Sequence, residues 1–90
     1  MARLIIDVRT AAEFENRHVE GAINISFNDE GFDTRIATLP RDTELVVYCN
    51  GGGRAGRATS RMKSLGFTDV RGYGILGASV ATGAPVIYQS

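Results

Sequence analysis

Residues 46–57 read VVYCNGGGRAGR, and this stretch joins three kinds of local structure. Its first residues form an apolar, partly β-branched run, which predicts a strand that ends at the only cysteine, Cys49. Three glycines follow at once, and glycine tolerates the positive φ angles of a tight turn while leaving backbone N–H groups uncovered. The segment behind them is compatible with a helix and begins with arginines. The stretch therefore predicts a strand, a loop and a helix N-terminus that meet at one thiol.

Two interpretations of Cys49 are open at this point. A glycine-rich loop ahead of a helix places unpaired N–H groups and the positive end of the helix dipole beside the thiol, an arrangement that binds anions and favours a thiolate. A lone cysteine is also commonly a small buried hydrophobic residue at the end of a strand. Exposure separates reactive from inert thiols, so the local sequence alone leaves both interpretations open.

Composition limits the classes of protein to consider. Ninety residues predict a single domain, spanning residues 1–90, with 43% apolar and 22% charged residues as in ordinary globular proteins. The formal net charge is zero, which argues against a nucleic-acid partner. One cysteine excludes an internal disulfide and a structural zinc site of the usual kind, and we expect no metal.

The sequence leaves the compartment open. No apolar run is long enough to span a bilayer, so we expect no membrane association, and residues 1–4 are too short for a signal peptide. The protein is therefore expected in the cytoplasm, or in the periplasm if a signal peptide was trimmed.

Predicted strands and helices alternate along the chain. The predicted strands cover residues 4–6, 22–25, 45–48 and 69–71, and the predicted helices cover residues 10–16, 32–39 and 54–65. Thr10 and Glu13 have the spacing of a capping box, and Gly66 lies where a helix C-terminal cap belongs. We expect a loop over residues 18–21. Residues 72–83 predict a loop with one helical turn around 76–80, and residues 86–88 a strand along the sheet edge.

This alternation predicts an α/β fold with a small, mainly parallel sheet of four or five strands, flanked by helices. In such sheets the ligand site lies at the carboxyl ends of the strands. The pattern puts Asp7, Arg9 and Cys49 at that edge. Because this placement is independent of the reactivity of the thiol, it favours the functional interpretation of Cys49.

Several spaced motifs resemble those of the rhodanese family of sulfurtransferases. In chain order they are Asp7-Val8-Arg9, Glu13-Phe14, HVEGAIN at residues 18–24, and Tyr48-Cys49 followed by a short loop and a helix. Within the family, the chain resembles the small periplasmic, phage-shock type, which shares Tyr-Cys-Asn before its loop. The resemblance implies the three-layer rhodanese fold. It also implies a thiosulfate-like donor, a persulfide on Cys49, and transfer of that sulfur to cyanide or another thiophilic acceptor, such as a thiol or a thioredoxin-like protein.

The loop residues match what this reaction requires. A persulfide anion needs hydrogen-bond donors, which backbone N–H groups of the loop supply without a metal or organic cofactor. We expect Arg54 and Arg57 to add a positive field for an anionic donor, and Arg61 to lie on the surface. Cys49 is thus the predicted nucleophile, and the predicted substrate-binding residues are Asn50, Gly51, Gly52, Gly53, Arg54 and Ala55.

The other polar residues of the motifs are expected to have supporting roles. Asp7 and Arg9 could hold the loop by hydrogen bonds or contact substrate, and we favour the first role. His18, the only histidine, could act as a general base to the cysteine, but the resemblance places it in a structural loop. The capping box already accounts for Glu13.

Two rival functions remain to be distinguished. Cysteine phosphatases and arsenate reductases put five residues between the cysteine and the phosphate-binding arginine, whereas four separate Cys49 from Arg54, which disfavours that class. A non-catalytic module or sulfur carrier, which passes sulfur only to a partner protein, stays open.

The family usually has a Gly-Gly pair and often a tryptophan after its last strand. This chain has Gly72-Tyr73-Gly74 and no tryptophan, so the acceptor preference is also open.

Overall fold

The computed structural model describes residues 3–89. Residues 1 and 2, from the segment too short to predict a signal peptide, and residue 90, the end of the predicted domain, lie outside it. The strands are β1 Arg3–Asp7, β2 Arg17–Val19, β3 Ile23–Asn24, β4 Glu44–Cys49, β5 Val70–Gly74 and β6 Val86–Tyr88. The helices are α1 Ala11–Asn16, α2 Phe32–Ile36, α3 Gly53–Ser64 and α4 Ile75–Thr82. Within residues 3–89, no helix is long and apolar enough to cross a membrane.

The main sheet has four parallel strands in the order β3-β1-β4-β5. Strand β4 lies between β1 and β5 and is buried on both faces, which explains its continuous apolar sequence. Leu45, Val47 and Cys49 pack in one core with residues of α2 and α3. Val46 and Tyr48 point to the opposite face, where they pack with α4 and β2. The predicted α/β fold with a mainly parallel sheet is therefore confirmed, with four strands.

Helix α3 packs against the sheet through small and apolar residues at helical spacing. Ala55, Ala58 and Met62 are buried, while the opposite side of the helix is charged. Gly66 ends the helix with a φ angle of +102°. Its N–H donates to Lys63 O and the N–H of Phe67 donates to Met62 O, which is the Schellman pattern. The predicted C-terminal cap is confirmed.

Helix α1 has both halves of the predicted capping box. The Glu13 N–H donates to Thr10 Oγ1, and the Thr10 N–H donates to Glu13 Oε1. The helix contains no buried residue. Its first turn is therefore fixed by these local hydrogen bonds rather than by packing.

The predicted loop at 18–21 is partly wrong. Residues Arg17–Val19 form β2, which pairs antiparallel with β6 in a separate two-stranded sheet. The prediction that residues 86–88 lie along the edge of the main sheet is wrong for the same reason. A three-residue strand shows little periodicity of its own, and the partner of β2 lies at the far end of the chain.

The prediction for residues 72–83 is partly wrong. The helical turn expected around 76–80 is present, but it belongs to the eight-residue helix α4, which takes up most of the predicted loop. The glycines that predicted a loop fall mainly outside the helix: Gly74 is its N-cap, and Gly83, with a φ angle of +73°, is its C-cap. Ile75 and Ala78, three residues apart, are buried against β4. Tertiary burial of this face stabilises a helix where composition favours a loop.

Element boundaries differ elsewhere by a few residues. Helix α2 ends at Ile36 rather than at residue 39, and β5 continues to Gly74 rather than ending at residue 71. The longer β5 extends alongside the end of β4, with Gly74 in register with Cys49. This extension brings the C-terminal part of the chain next to the cysteine.

Candidate active site

Cys49 is the last residue of β4, and its sulfur faces backbone donors. The Gly52 N–H lies 2.9 Å from Cys49 Sγ and the Ala55 N–H lies 3.4 Å from it. The residue is only 2% exposed, and it belongs to the hydrophobic core on the α3 side. Cys49 therefore has a structural feature of each interpretation: it is buried like a core residue, and its sulfur accepts hydrogen bonds from the backbone.

The glycine turn gives the donors their direction. Gly52 is the N-cap of α3 and has a φ angle of +98°, whereas Gly51 and Gly53 have no positive φ. The left-handed residue reverses the chain so that its own N–H and that of Ala55, in the first turn of α3, point at the same sulfur. The sulfur thus lies at the positive end of a twelve-residue helix.

Asn50 is held from three sides. Its Oδ1 accepts a hydrogen bond from Arg9 Nη1 (3.0 Å), and its Nδ2 donates to Glu13 Oε2 (2.8 Å). Its backbone carbonyl accepts from the N–H of Ile75, the first residue of α4 (3.3 Å). Both polar groups of the predicted substrate-binding side chain are therefore used within the protein.

Asp7 and Arg9 form a buried ion pair beneath the loop. Arg9 Nε donates to Asp7 Oδ1 (3.0 Å), Arg9 Nη2 donates to Asp7 Oδ2 (2.7 Å), and neither side chain is more than 2% exposed. Burial acts to lower the pKa of Arg9, but the hydrogen bonds and charge of Asp7 outweigh it, and the pKa is raised. The charged guanidinium of Arg9 donates hydrogen bonds to Asn50 Oδ1 and to the Arg17 carbonyl. This geometry matches the supporting role predicted for the pair.

Arg54 is paired with Glu13 across the mouth of the loop. Arg54 Nη1 donates to Glu13 Oε1 (2.7 Å) and Arg54 Nη2 donates to Glu13 Oε2 (3.0 Å). The hydrogen bond from Arg54 is the main reason that the pKa of Glu13 falls from 4.5 to about 2. The same bond raises the pKa of Arg54.

The sequence does not predict this role of Glu13. The capping box explains its position and uses only Oε1, but Oε1 also accepts from Arg54, and Oε2 accepts from Asn50 and Arg54. The sequence contained one indication: a glutamate that caps a helix with one carboxylate oxygen has a second oxygen that can accept further hydrogen bonds. Its partners lie about 40 residues away, at sequence separations of 37 and 41, so no local pattern identifies them.

The remaining predicted residues lie outside this network. Arg57 is exposed and has no carboxylate partner among residues 3–89. Arg61 lies on the surface as predicted, where it pairs with Asp33. His18 lies in β2, stacks on Phe14 with ring centroids 3.9 Å apart, and contacts the Phe14 carbonyl through Nδ1. These contacts match a structural role for His18.

The end of β5 closely approaches the loop. A Cβ atom on Gly74 would lie 2.8 Å from the backbone oxygen of Asn50, and one on Gly72 would lie 3.4 Å from the oxygen of Ala55. These glycines therefore allow two backbone segments to come together beside Cys49. The departure from the usual Gly-Gly pair keeps glycine at both points of close approach.

Comparison with known proteins agrees with this geometry. Residues 1–74 match the family described as Rhodanese-like domain. Over 71 residues the chain is 39% identical to "Thiosulfate sulfurtransferase PspE" of Escherichia coli, a match that covers 77% of this chain and 66% of that protein. It is also 32% identical over 66 residues to "Putative sulfur carrier protein YrkF" of Bacillus subtilis, covering 73% of this chain and 35% of that protein.

Solved structures show the same fold. The structure titled "rhodanese with anions from E. coli" superimposes with a TM-score of 0.76 and 30% sequence identity, covering 98% of this chain and all of that one. The chain spans just under two thirds of the E. coli PspE sequence and about a third of the YrkF sequence.

Proposed function

This chain belongs to the rhodanese family, and on that premise we propose that it is a thiosulfate sulfurtransferase that carries sulfur as a persulfide on Cys49. Sulfur transfer is the general chemistry in the names of its sulfurtransferase relatives. The observation that carries the proposal is the pair of backbone N–H groups directed at Cys49 Sγ from the N-terminus of α3. Residues 1–90 act as one catalytic domain in this proposal.

The first half-reaction loads the enzyme. The Cys49 thiol loses its proton to solvent, and the thiolate attacks the outer sulfur of thiosulfate. A bond forms between Cys49 Sγ and that sulfur while the S–S bond of thiosulfate breaks, and sulfite leaves with the bonding electron pair. The negative charge of the thiolate ends on the outer sulfur of the persulfide, and the two charges of thiosulfate leave on sulfite.

The loop stabilises the negative charge at each stage. Gly52 and Ala55 supply donors to the thiolate sulfur, and in this proposal further N–H groups of residues 50–55 would donate to the outer sulfur. Prearranged donors in a water-poor site stabilise charge without reorganisation during the reaction. A persulfide anion is favoured here for the same reason that anions bind at helix N-termini.

The second half-reaction unloads the enzyme. Cyanide or a thiolate attacks the outer sulfur, the S–S bond of the persulfide breaks, and its electron pair returns to Cys49 as thiolate. The product is thiocyanate from cyanide, or a new persulfide from a thiol or a thioredoxin-like protein. Neither half-reaction requires a metal or an organic cofactor.

Intact-mass measurement after thiosulfate treatment tests the proposal. The wild-type protein is expected to gain the mass of one sulfur atom, to lose it when cyanide is added, and to release thiocyanate. The matched control is Cys49→Ser, which keeps the size of the side chain but removes the nucleophile. It should neither gain sulfur nor release thiocyanate. If the wild type gains no sulfur, or if Cys49→Ser still makes thiocyanate, the mechanism is wrong.

A sulfur-carrier function is the second candidate. The similarity to a putative sulfur carrier favours it, and so does the exposed apolar side of α4 near the loop, where Leu76 and Val80 are 68% and 83% exposed. A carrier would accept the sulfur atom but pass it to a protein thiol much faster than to cyanide. Comparing the rate of persulfide loss to cyanide with that to a reduced thioredoxin distinguishes the two functions.

A further inference from the structure

Among residues 3–89, Glu13 is the one carboxylate that bonds both ends of the glycine loop, which we call the sulfur-binding loop (residues 50–55). We propose that Glu13 is a positioning residue that ties Asn50 to Arg54 and so keeps the loop N–H groups directed at Cys49 Sγ. This inference rests on the proposed function, since the loop is the site of the persulfide. It assigns Arg54 a structural partner in the resting protein, in addition to any contact with substrate.

The two oxygens of Glu13 divide the work. Oε1 accepts from the Thr10 N–H (3.1 Å) and from Arg54 Nη1 (2.7 Å). Oε2 accepts from Asn50 Nδ2 (2.8 Å) and from Arg54 Nη2 (3.0 Å). Oε1 therefore anchors the carboxylate to helix α1, and Oε2 joins the residue directly after Cys49 to the first turn of α3.

The composition of the loop explains why an external tie is needed. Three of its six residues are glycines, which have the greatest backbone freedom to lose on ordering. Of the three, only Gly52 donates a hydrogen bond to the sulfur of Cys49. A bidentate guanidinium–carboxylate pair fixes direction as well as distance, which a single hydrogen bond does not. Glu13 thus restrains the loop from outside, whereas the glycines leave the loop backbone flexible.

Other contacts hold only one end of the loop. Arg9 bonds the side chain of Asn50, and Ile75 bonds its carbonyl, but within residues 3–89 neither bonds Arg54. If Glu13 is removed, Asn50 remains attached to the sheet while Arg54 is released. The expected consequence is a looser turn at Gly52 rather than detachment of the whole loop.

The simpler explanation is that Glu13 only caps α1. A glutamine serves as well as a glutamate at this position of a capping box, so the two roles can be separated. In Glu13→Gln the amide oxygen can still accept from the Thr10 N–H and from Arg54 Nη1, but the ion pair and the contacts made by Oε2 are lost. The amide nitrogen then faces two donors, Asn50 Nδ2 and Arg54 Nη2, and cannot accept from either.

Two control variants match the other effects of this change. Glu15→Gln removes the same charge from an exposed residue of the same helix, which has no ion pair among residues 3–89. Thr10→Ala removes the capping hydroxyl, which accepts from the Glu13 N–H and donates to Glu13 Oε1. The Thr10 N–H still donates to Oε1, and the contacts of the carboxylate with Arg54 and Asn50 stay in place. Together they separate the effects of lost charge and of lost helix capping from the effect of breaking the contacts of Glu13 with Asn50 and Arg54.

Two readouts test the proposal, and one does not depend on catalysis. NMR-detected amide exchange should be about 10-fold faster at Gly52 and Ala55 in Glu13→Gln than in the wild type, while core amides of β4 change little. The kcat for thiosulfate should fall about 10- to 100-fold because the donors are misplaced, and KM should not rise, since Arg54 keeps its charge. Glu15→Gln should match the wild type in both measurements, and Thr10→Ala, which removes one of the hydrogen bonds to Oε1, should change both much less than Glu13→Gln does.

The results distinguish failure of the positioning role from failure of the proposed function. If Glu13→Gln exchanges and turns over like the wild type, or if Thr10→Ala loosens the loop equally, the positioning role is wrong even where the wild type transfers sulfur. If the wild type takes up no sulfur while Glu13→Gln still loosens the loop, the proposed function is wrong and the tie between the loop ends stands.

Discussion

At the scale of single residues, the environment of Cys49 depends on one glycine and one carboxylate. Gly52 is the only glycine of the loop with a positive φ, and its N–H is the nearer of the two donors to the sulfur. Glu13 bonds the residues on either side of that turn. A backbone conformation and an ion pair therefore share the task of directing the donors.

Gly52→Ala should destabilise the protein, whereas alanine at Gly51 or Gly53 should have little effect. At a φ of +98°, alanine is strained by about 1–2 kcal/mol, so we expect the free energy of unfolding to fall by that amount and sulfur uptake to slow. Urea denaturation and the rate of persulfide formation measure the two effects. Gly51→Ala and Gly53→Ala are the controls, since an added Cβ at either position meets no atom within 4 Å. Equal losses in all three variants would contradict this assignment.

Glu13 should also give stability a dependence on acid pH. Its pKa is about 2 in the folded protein and 4.5 when unperturbed, so the unfolded chain binds the proton first as the pH falls. The contribution of Glu13 is thus complete above pH 4.5 and is lost as the pH falls towards 2.

Urea denaturation at a series of pH values measures this dependence. The free energy of unfolding of Glu13→Gln should decline less over this range than that of the wild type. Glu15→Gln, the exposed control on the same helix, should keep the wild-type decline. A Glu13→Gln curve parallel to that of the wild type would show that the ion pair with Arg54 contributes nothing to stability.

At the scale of elements, the site is a junction of four segments. The end of β4 supplies the thiol, the start of α3 supplies the donors, α1 supplies Glu13, and the turn from β5 into α4 closes the remaining side. Gly74 lies at that turn and lets the β5 backbone approach Asn50. The close approach ties the position of the loop to the C-terminal part of the chain.

Gly74→Ala tests this approach. Its Cβ would lie 2.8 Å from the Asn50 carbonyl oxygen, and because that atom is backbone, the loop itself must move. We expect a loss of about 1–3 kcal/mol in the free energy of unfolding and a slower sulfur uptake. Gly56→Ala is the control: this exposed α3 position has nothing within 4 Å of an added Cβ, so alanine should stabilise by about 0.5–1 kcal/mol. Unchanged sulfur uptake in Gly74→Ala would argue against the coupling.

At the scale of the whole molecule, the part that the structure describes has two cores, on opposite faces of the main sheet. The α2 and α3 side contains Cys49, and the other side joins Val46 and Tyr48 to α4, β2 and the partly buried Val86 of β6. The family match ends at residue 74, before α4 and β6 begin. The second core is thus completed by segments beyond the matched region.

A chain that ends at Gly83 should be less stable. It lacks β6 and with it the pairing to β2, the hydrogen bond from the Glu20 N–H to the Pro85 carbonyl, and the packing of Val86. Loss of this partly buried surface should cost about 2 kcal/mol, which lowers the melting temperature by about 10 °C in a domain of this size. Thermal denaturation measures it. Tyr88→Ser, at a position 65% exposed, is the control and should change the melting temperature little. An unchanged melting temperature in the shortened chain would mean that β6 contributes nothing.

The sequence by itself determined the elements whose signals are local. The apolar run of β4, the capping box at Thr10 and Glu13, and Gly66 at the end of α3 each depend on residues within a few positions of one another. The same holds for the glycine turn after Cys49, which predicted a sulfur beside a helix N-terminus.

Tertiary structure alone decided the features that join distant segments. The pairing of β2 with β6, the full length of α4, and the bonds from Glu13 to Asn50 and Arg54 are examples. Burial against β4 overrode the glycine-rich composition around α4, and the second oxygen of Glu13 met partners that folding alone brings near. Periodicity and spacing report only what neighbours along the chain do, so contacts between remote residues depend on the packed sheet that brings them together.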